Sequence, residues 1–307
     1  MDLQNEFTTT ILELKDDYEG KVCATLVAAK ANQKDQPSVL YIHGFVDYFF
    51  QAHMAEAFVE KGYNFYALDL RKYGRSLLPH QHPNYCRDMH EYYEEITQSI
   101  KIIKQLSTQP LYLFGHSTGG LLSSNYMMDG ALRQDVKALM LNSPFFEIKF
   151  PKALKPLLYG VVTLISKLFP YAKVDKALAP AYAQSLHKDY HGEWDFDLTW
   201  KPIEGFPAYF VWLKAIISAQ NSLKEPRLKI PILVMHASQS KDIMNYNEES
   251  KSADIVLVVD DIEHIGAQLG DDVTLIAIED GIHDLFLSQA KVRTVAFEKM
   301  FTWLAQH

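Results

Sequence analysis

The sequence predicts an α/β fold in which helices cover both faces of a mostly parallel central sheet and one helical cap is inserted between two strands. Two observations lead to this prediction. Strand-like and helix-like segments alternate over about the first 150 residues and again near the end of the chain, which is typical of parallel strands joined by helices. Between residues 145 and 228 the alternation stops, and the pattern is helical and aromatic. We therefore expect a core formed by residues 1–144 and 229–307 and a cap formed by residues 145–228.

The predicted elements of the core follow one another in chain order. Strands are expected at residues 8–14, 22–29, 38–42, 64–68, 111–114, 138–142, 230–235 and 273–278. Helices are expected at residues 51–62, 91–106, 120–128 and 291–304. A short polar turn joins the first two strands and predicts an antiparallel hairpin. The third strand, SVLYI, is continuously apolar, as expected of a strand that is buried on both faces.

Two of the helices carry clear local signals. The segment at 91–106 places Ile96, Ile100 and Ile103 on one face, which predicts an amphipathic helix packed against the sheet. The segment at 51–62 ends at Gly62, a residue suited to the C-terminus of a helix.

Composition and charge narrow the class of protein. With 48% hydrophobic and 22% charged residues, the chain has the composition of a globular protein with a sizeable core. The net charge of −8 argues against nucleic acid as a partner, because proteins that bind phosphate backbones are normally basic.

Two cysteines, Cys23 and Cys86, are too few for a disulfide framework. The N-terminus lacks a signal-peptide pattern, and the most apolar stretch, 156–169, is too short to span a bilayer. We expect a cytoplasmic protein without an integral membrane segment.

A Gly-x-Ser-x-Gly pattern at residues 115–119 marks the first candidate for chemistry. It follows the predicted strand LYLF and opens the predicted helix GLLSSNYMM. Glycines at these positions permit a sharp strand-to-helix turn that exposes the serine hydroxyl at the N-terminus of a helix. The pattern therefore predicts that Ser117 is a nucleophile, the alternative being a tight glycine turn with an idle serine.

A His-Gly-Phe turn at residues 43–45 follows the third strand. In acyl-transfer enzymes that use such an elbow, a backbone amide from this turn and the amide after the nucleophile form an oxyanion hole. We therefore expect the backbone N–H groups of Phe45 and Thr118 to fill this role. The side chain of His43 is interpreted as a buried structural histidine.

A general base for Ser117 is expected on a loop after the last strand, because that loop overhangs the end of the sheet where the nucleophile lies. His283 lies just past the predicted strand VTLIAI. The other late histidines fit less well, since His264 falls in a predicted helix and His307 is terminal. His283 is therefore the predicted base.

Taken together, these motifs resemble the α/β-hydrolase superfamily, and more closely its branch of monoacylglycerol lipases, lysophospholipases and serine-aminopeptidase-like proteins with a helical cap. The resemblance runs from about residue 38 to the C-terminus and includes the turn DLRKYGRS at 69–76, GHSTGG at 115–120 and GIHD at 281–284. It implies a Ser-Asp-His triad and no cofactor.

The catalytic acid is the point where the sequence departs from this resemblance. Relatives carry an aspartate soon after the strand that corresponds to PILVM, and this chain has Ser240 there. Asp254 lies 29 residues before His283, which fits one helix and one strand, and its setting Ser-Ala-Asp resembles that of lipase relatives. Asp242 lies closer to the strand end but 41 residues before His283. Asp260 is a third candidate, although capping of the following helix also explains it. Asp254 is the predicted acid, at the cost of a polar insertion after Ser238.

A histidine-rich segment could be mistaken for a metal site. His80, His82, Cys86 and His90 lie close together in the sequence. Their spacing matches no common structural zinc pattern, so we expect a surface loop and no metal.

The resemblance and the predicted residues together favour an enzyme that cleaves carboxylic esters through an acyl-enzyme, acting on short-to-medium acyl esters or monoacyl lipids. An aminopeptidase or amidase with the same triad, and a non-catalytic ligand-binding protein of this fold, are the alternatives. In the cap, the apolar stretches 156–169 and 209–217 are expected to contribute to an acyl pocket. At least half of these residues are expected to pack only on each other and on the core.

Overall fold

The computed structural model describes residues 6–175, 178–223 and 227–307. Its main feature is one eight-stranded sheet. The strands are β1 (Phe7–Glu13), β2 (Cys23–Ala29), β3 (Ser38–Ile42), β4 (Asn64–Asp69), β5 (Leu111–His116), β6 (Val136–Asn142), β9 (Leu228–Ala237) and β10 (Gly270–Ile278). Their order across the sheet is β1-β2-β4-β3-β5-β6-β9-β10. Every predicted core strand is confirmed.

The sheet is parallel except at one edge. Strand β2 is antiparallel to both β1 and β4, and the predicted opening hairpin is confirmed. All other neighbours are parallel, with Ile42 opposite Gly115, His116 opposite Asn142 and Ile278 opposite Ala237. This register aligns the carboxyl ends of the six parallel strands along one edge, the place where ligands bind in open α/β sheets.

The core helices lie on the two faces of the sheet. They are α1 (Ala52–Glu60), α2 (Tyr93–Leu106), α3 (Thr118–Asp129), α7 (Val259–Gly266) and α8 (Ala290–Leu304). Alternate side chains of β3 point to opposite faces. Leu40 therefore packs in the cluster that contains Ile96 and Ile100 of α2, and Tyr41 packs in the cluster that contains Phe58 of α1.

The segment between β6 and β9 is mainly helical. It contains α4 (Lys155–Leu168), α5 (Pro180–Leu186), α6 (Phe210–Ser222) and two short paired strands, β7 (Lys173–Val174) and β8 (Ala208–Tyr209). Helix α6 packs on α3, where Asn125 Nδ2 donates to the carbonyl oxygen of Ala219 over 3.2 Å. The helices of this segment differ in burial: α6 contributes side chains to the main core, whereas much of α4 is exposed to solvent. The division at residues 145 and 228 stays a prediction.

Within the described ranges, the structure has no helix long and apolar enough to cross a membrane.

Gly119 tests how tightly the start of α3 packs against the sheet, and Gly160 in the exposed helix α4 is the control. A Cβ at Gly119 would overlap the carbonyl oxygens of Ile42 and His43, whereas a Cβ at Gly160 in α4 would meet nothing within 4 Å. Gly119→Ala should lower the free energy of unfolding by about 1–3 kcal/mol, because the backbone must shift. Gly160→Ala should raise it by up to about 1 kcal/mol through helix propensity. Urea unfolding of both variants measures the contrast, and equal stabilities would contradict it.

Candidate active site

The turn between β5 and α3 places Ser117 at the carboxyl edge of the sheet. Ser117 adopts φ 51° and ψ −117°, a left-handed conformation that is unusual for a residue other than glycine. Its N–H donates to the carbonyl oxygen of Asn142 over 3.0 Å, and its carbonyl oxygen accepts from the N–H of Phe145 over 3.0 Å. These bonds hold the serine in the strained turn that the Gly-x-Ser-x-Gly pattern predicted.

The loop after β10 carries His283 to the nucleophile turn. His283 Nε2 lies 2.9 Å from Ser117 Oγ, and His283 Nδ1 lies 2.8 Å from Asp254 Oδ2. A carboxylate only accepts, so Nδ1 of the neutral imidazole carries the proton and Nε2 accepts from the serine hydroxyl. All three side chains are buried, which shields this chain of hydrogen bonds from competing water.

The carboxylate of Asp254 is held on both oxygens. Oδ2 accepts from His283, and Oδ1 accepts from the N–H groups of Val256 and Leu257, each over 2.8 Å. The residue itself is completely buried. These bonds fix the orientation of the carboxylate and, through it, the orientation of the imidazole ring.

A detour of the chain after β9 brings Asp254 into this position. The N–H of Asp254 donates to the carbonyl oxygen of Gln239 over 3.0 Å, and the N–H of Lys241 donates to the carbonyl oxygen of Asp254 over 2.9 Å. Asp254 thus lies beside Ser240 in a parallel bridge. The intervening residues contain a short 3₁₀ helix, Glu248–Lys251, with a capping box at Asn247.

The two other candidate acids lie elsewhere. The side chain of Asp242 is 79% exposed and pairs with Lys149 over 3.1 Å. Asp260 is exposed in the first turn of α7. The prediction that Asp260 caps this helix is wrong, because the N-cap residue is Val258; an acidic residue in the first turn is instead favoured by the helix dipole.

The turn after β3 brings backbone close to the nucleophile. A Cβ at Gly44 would lie 3.1 Å from Ser117 Cβ, a tight contact that glycine avoids. Phe45 follows directly, and Thr118 is the first residue of α3, where N–H groups have no partner within the helix. The two predicted oxyanion amides therefore belong to segments that flank Ser117.

His43 and His116 are buried beside the site but bond to backbone. His43 Nδ1 donates to the carbonyl oxygen of Gly44 over 2.8 Å, and its Nε2 accepts from the N–H of Leu70 over 3.1 Å. His116 Nδ1 contacts the carbonyl oxygen of Asn142 over 3.1 Å. Burial lowers the pKa of both imidazoles. The structural interpretation of the His43 side chain agrees with these contacts.

A buried polar network beneath His283 escaped the sequence analysis. Asn142 Nδ2 donates to Asp284 Oδ1 over 2.8 Å, and Asn142 Oδ1 accepts from the N–H of Leu285 over 3.3 Å. The hydroxyl of Tyr182 accepts from the N–H of Asp284 over 3.1 Å. The signals that could have identified these residues are the position of Asn142 at the end of a strand and that of Asp284 next to His283.

A cavity of about 280 Å³ opens at Ser117. Ser117, His283, Phe45 and Thr118 all line it, and most of the remaining lining is apolar. From the segment between β6 and β9, side chains of α5 and α6 and the loop between them contribute, including Tyr182, Ile203, Trp212 and Leu213.

The prediction that residues 156–169 line an acyl pocket is wrong. None of them borders the cavity, and Leu157 and Leu164 of α4 are 67% and 59% exposed. Residues 209–217 contribute Trp212 and Leu213 only. Apolar composition therefore located only part of the pocket.

The side chains of the histidine-rich segment do not converge on one point, because each contacts a different partner. His80 contacts the carbonyl oxygen of Lys21, His82 contacts Glu19, His90 lies between Asp88 and Asp129, and Cys86 is buried. Among the described residues, no group of three or more His, Cys, Asp or Glu side chains is arranged to hold a metal ion.

The sheet order, the strained serine turn and the loop histidine define an α/β hydrolase. Within that class, the chain matches the family described as serine aminopeptidase, S33, over residues 33–289, and it belongs to this family. No curated protein matches the chain significantly.

Solved structures share the fold over nearly the whole chain. A soluble variant of monoglyceride lipase from Saccharomyces cerevisiae, in complex with a substrate analog, has a TM-score of 0.67 at 18% identity, covering 98% of this chain and 97% of that chain. The monoacylglycerol lipase of Paleococcus ferrophilus has 0.65 at 15%, covering 98% and 99%. An esterase from Exiguobacterium antarcticum has 0.61 at 15%, covering 96% and 99%. The predicted α/β-hydrolase fold is confirmed.

The network beneath His283 generates a stability prediction. Asn142→Leu should lower the free energy of unfolding by about 2–3 kcal/mol, because it removes a hydrogen bond to the buried carboxylate of Asp284. Asn245→Ala, at an exposed position, is the control and should change little. Urea denaturation measures both variants, and an Asn142→Leu protein as stable as the control would contradict the assignment.

Proposed function

We propose that the protein is a serine hydrolase of carboxylic esters, with Ser117 as nucleophile, His283 as base and Asp254 as orienting acid. The observation that carries the proposal is the continuous hydrogen-bonded relay of these three side chains, at 2.9 and 2.8 Å, which ends in an accessible cavity. A nucleophile, a base and a group that orients the base are the parts that acyl transfer requires.

The relay supports the following sequence of steps. Ser117 Oγ attacks the ester carbonyl carbon as its proton passes to His283 Nε2, and the carbonyl π electrons move to oxygen. Collapse of the tetrahedral intermediate breaks the bond to the alcohol, which leaves with the proton from His283. Water then attacks the acyl-enzyme with the same base, and the carboxylic acid and free Ser117 are restored. Asp254 keeps the imidazole tautomer and stabilises the imidazolium in both steps.

The proposed oxyanion hole consists of the backbone N–H groups of Phe45 and Thr118. Support comes from the close approach of Gly44 to Ser117 and from the place of Thr118 at the start of α3. Such donors act on charge that develops in the transition state, and their effect is large in a site from which water is excluded.

The lining of the cavity supports an acyl ester or a monoacyl lipid as substrate. A mostly apolar pocket suits a hydrocarbon chain, and its volume is near the lower end of the roughly 300–1,000 Å³ range of ligand pockets. The fold is shared with two proteins named as monoglyceride or monoacylglycerol lipases and with one named as an esterase, and these names denote hydrolysis of ester bonds.

An aminopeptidase is the second candidate, because the family is described as serine aminopeptidase. Recognition of a free α-ammonium group calls for a carboxylate in the pocket. Among the described residues that line the cavity, Asp47 is the one carboxylate, and Lys201 Nζ already binds it over 2.9 Å. This pairing favours esters.

A cytoplasmic location is part of the proposal. Cys23 and Cys86 are both free and buried, in keeping with a compartment that maintains thiols in the reduced state.

A fluorophosphonate probe tests the nucleophile. The wild-type protein should be labelled, and Ser117→Ala should abolish labelling with the fold intact by circular dichroism. A folded wild-type protein that remains unlabelled would favour a non-catalytic ligand-binding protein.

A substrate panel tests the bond that is cleaved. p-Nitrophenyl acetate, butyrate and octanoate, together with a monoacylglycerol, should be hydrolysed faster than aminoacyl p-nitroanilides. Activity confined to the aminoacyl anilides would replace the esterase proposal with the aminopeptidase.

Two aspartate variants test the orienting acid. Asp254→Asn should lower kcat by about 10⁴-fold, because the amide favours the wrong imidazole tautomer. Asp242→Asn is the matched control and should leave kcat nearly unchanged, since that side chain is exposed and pairs with Lys149, whereas His283 pairs with Asp254. Steady-state kinetics on one ester measures both, and the reverse ranking would move the acid to Asp242.

A further inference from the structure

The backbone just after the proposed oxyanion amide is strained. Val46 has φ 50°, and a left-handed conformation is a clear outlier for a β-branched residue. Such strain persists only where surrounding contacts enforce it, and it is concentrated at functional sites. Because Val46 follows Phe45 directly, whatever holds Val46 also sets the orientation of the neighbouring peptide groups.

Lys201, from the inserted segment, makes the contacts that hold this turn. Its Nζ donates to the carbonyl oxygen of Val46 over 3.3 Å and to Asp47 Oδ1 over 2.9 Å. Lys201 and Asp47 are 7% and 3% exposed. Burial raises the pKa of Asp47, but the Lys201 ammonium and nearby histidines outweigh it, so the pKa of Asp47 is lowered. The geometry of the two side chains is that of a buried ion pair.

Neighbouring contacts join the same two segments. The hydroxyl of Tyr48 accepts from the N–H of Asp197 over 2.7 Å, and the Tyr48 ring packs edge-on against Trp200. The carbonyl oxygen of Asp197 in turn accepts from the N–H of Lys201 over 2.9 Å. The loop that carries Lys201 is therefore itself anchored to the turn after β3.

Attachment of the two segments does not require an ion pair. Taking two charges out of water costs about as much as their attraction returns, and apolar residues of similar volume often serve stability equally well. What a lysine adds here is a donor for the Val46 carbonyl oxygen and a fixed position for Asp47. The buried pair is therefore better suited to orient a strained backbone than to join two surfaces.

We propose that Lys201 is a positioning residue that, together with Asp47, holds the turn at Val46 so that the N–H of Phe45 faces the developing oxyanion. The proposal rests on the proposed ester hydrolysis. It also gives the inserted segment a part in rate enhancement, in addition to its part in lining the cavity.

The experiment compares Lys201→Met with Lys201→Met/Asp47→Asn. The single variant leaves a buried carboxylate without its partner and should be destabilised. The double variant carries neither charge and should recover much of the thermal stability. Neither has the ammonium donor, so both should show kcat lowered by about 10- to 100-fold, below the roughly 10²–10³-fold loss for outright removal of one oxyanion donor.

KM distinguishes positioning from direct binding, because Lys201 also borders the cavity. If Lys201 only positions the turn, KM for a p-nitrophenyl ester should stay near the wild-type value in both variants. The affinity for a trifluoromethyl ketone, which mimics the tetrahedral intermediate, should fall in parallel with kcat/KM. Lys188→Met, at an exposed lysine paired with Asp195, is the control and should match the wild type.

Each outcome has a distinct meaning. If the double variant regains both stability and kcat, the pair only joins the two segments and the proposal is overturned. If KM alone rises, Lys201 binds substrate and does not position the turn. If the wild-type protein neither hydrolyses esters nor reacts with a fluorophosphonate, the proposed function fails, and the positioning role fails with it.

Discussion

The left-handed backbone at Ser117 is the constraint on which the arrangement of the site depends. A strained residue at the end of a central strand needs neighbours that leave no room for relaxation. Bonds to Asn142 and Phe145 fix the turn on one side. On the other side, α3 packs so closely on the end of β3 that Gly119 has no space for a side chain. Ser117 therefore lines the cavity in a turn that its backbone contacts hold in place.

The sequence predicted the parts of this arrangement that are encoded locally. The continuous apolar run SVLYI identified β3, because a strand buried on both faces leaves this signature. Ser117 and His283 could be proposed from the sequence because a glycine-flanked turn and a loop after the last strand are features of local sequence. The parallel register then places both at one edge of the sheet, as the structure shows.

Contacts between segments that are distant in sequence could not be predicted from local sequence patterns. Asn142 and Asp284 are 142 residues apart and meet only because β6 lies next to β9 and β9 next to β10. Lys201 and Asp47 are 154 residues apart, and nothing in either local sequence indicates the pair. The same limit explains the misplaced pocket residues of α4, since apolar composition indicates burial or a surface patch equally well and does not give the direction a helix faces.

The position of Asp254 depends both on local sequence and on a contact between separate segments, and it shows what the proposed triad requires. The requirement is a carboxylate at a fixed place beyond β9, not at a fixed number of residues from it. A parallel bridge between Ser240 and Asp254 meets this requirement by returning the chain to the strand end after an excursion. The entropic cost of such a loop rises slowly, by about 0.6 kcal/mol for each doubling of its length. Backbone bonds of Asp254 to Gln239 and Lys241, with the capping box at Asn247, offset a cost of this size. An insertion here can therefore lengthen the sequence between strand and acid while the position of the carboxylate stays the same.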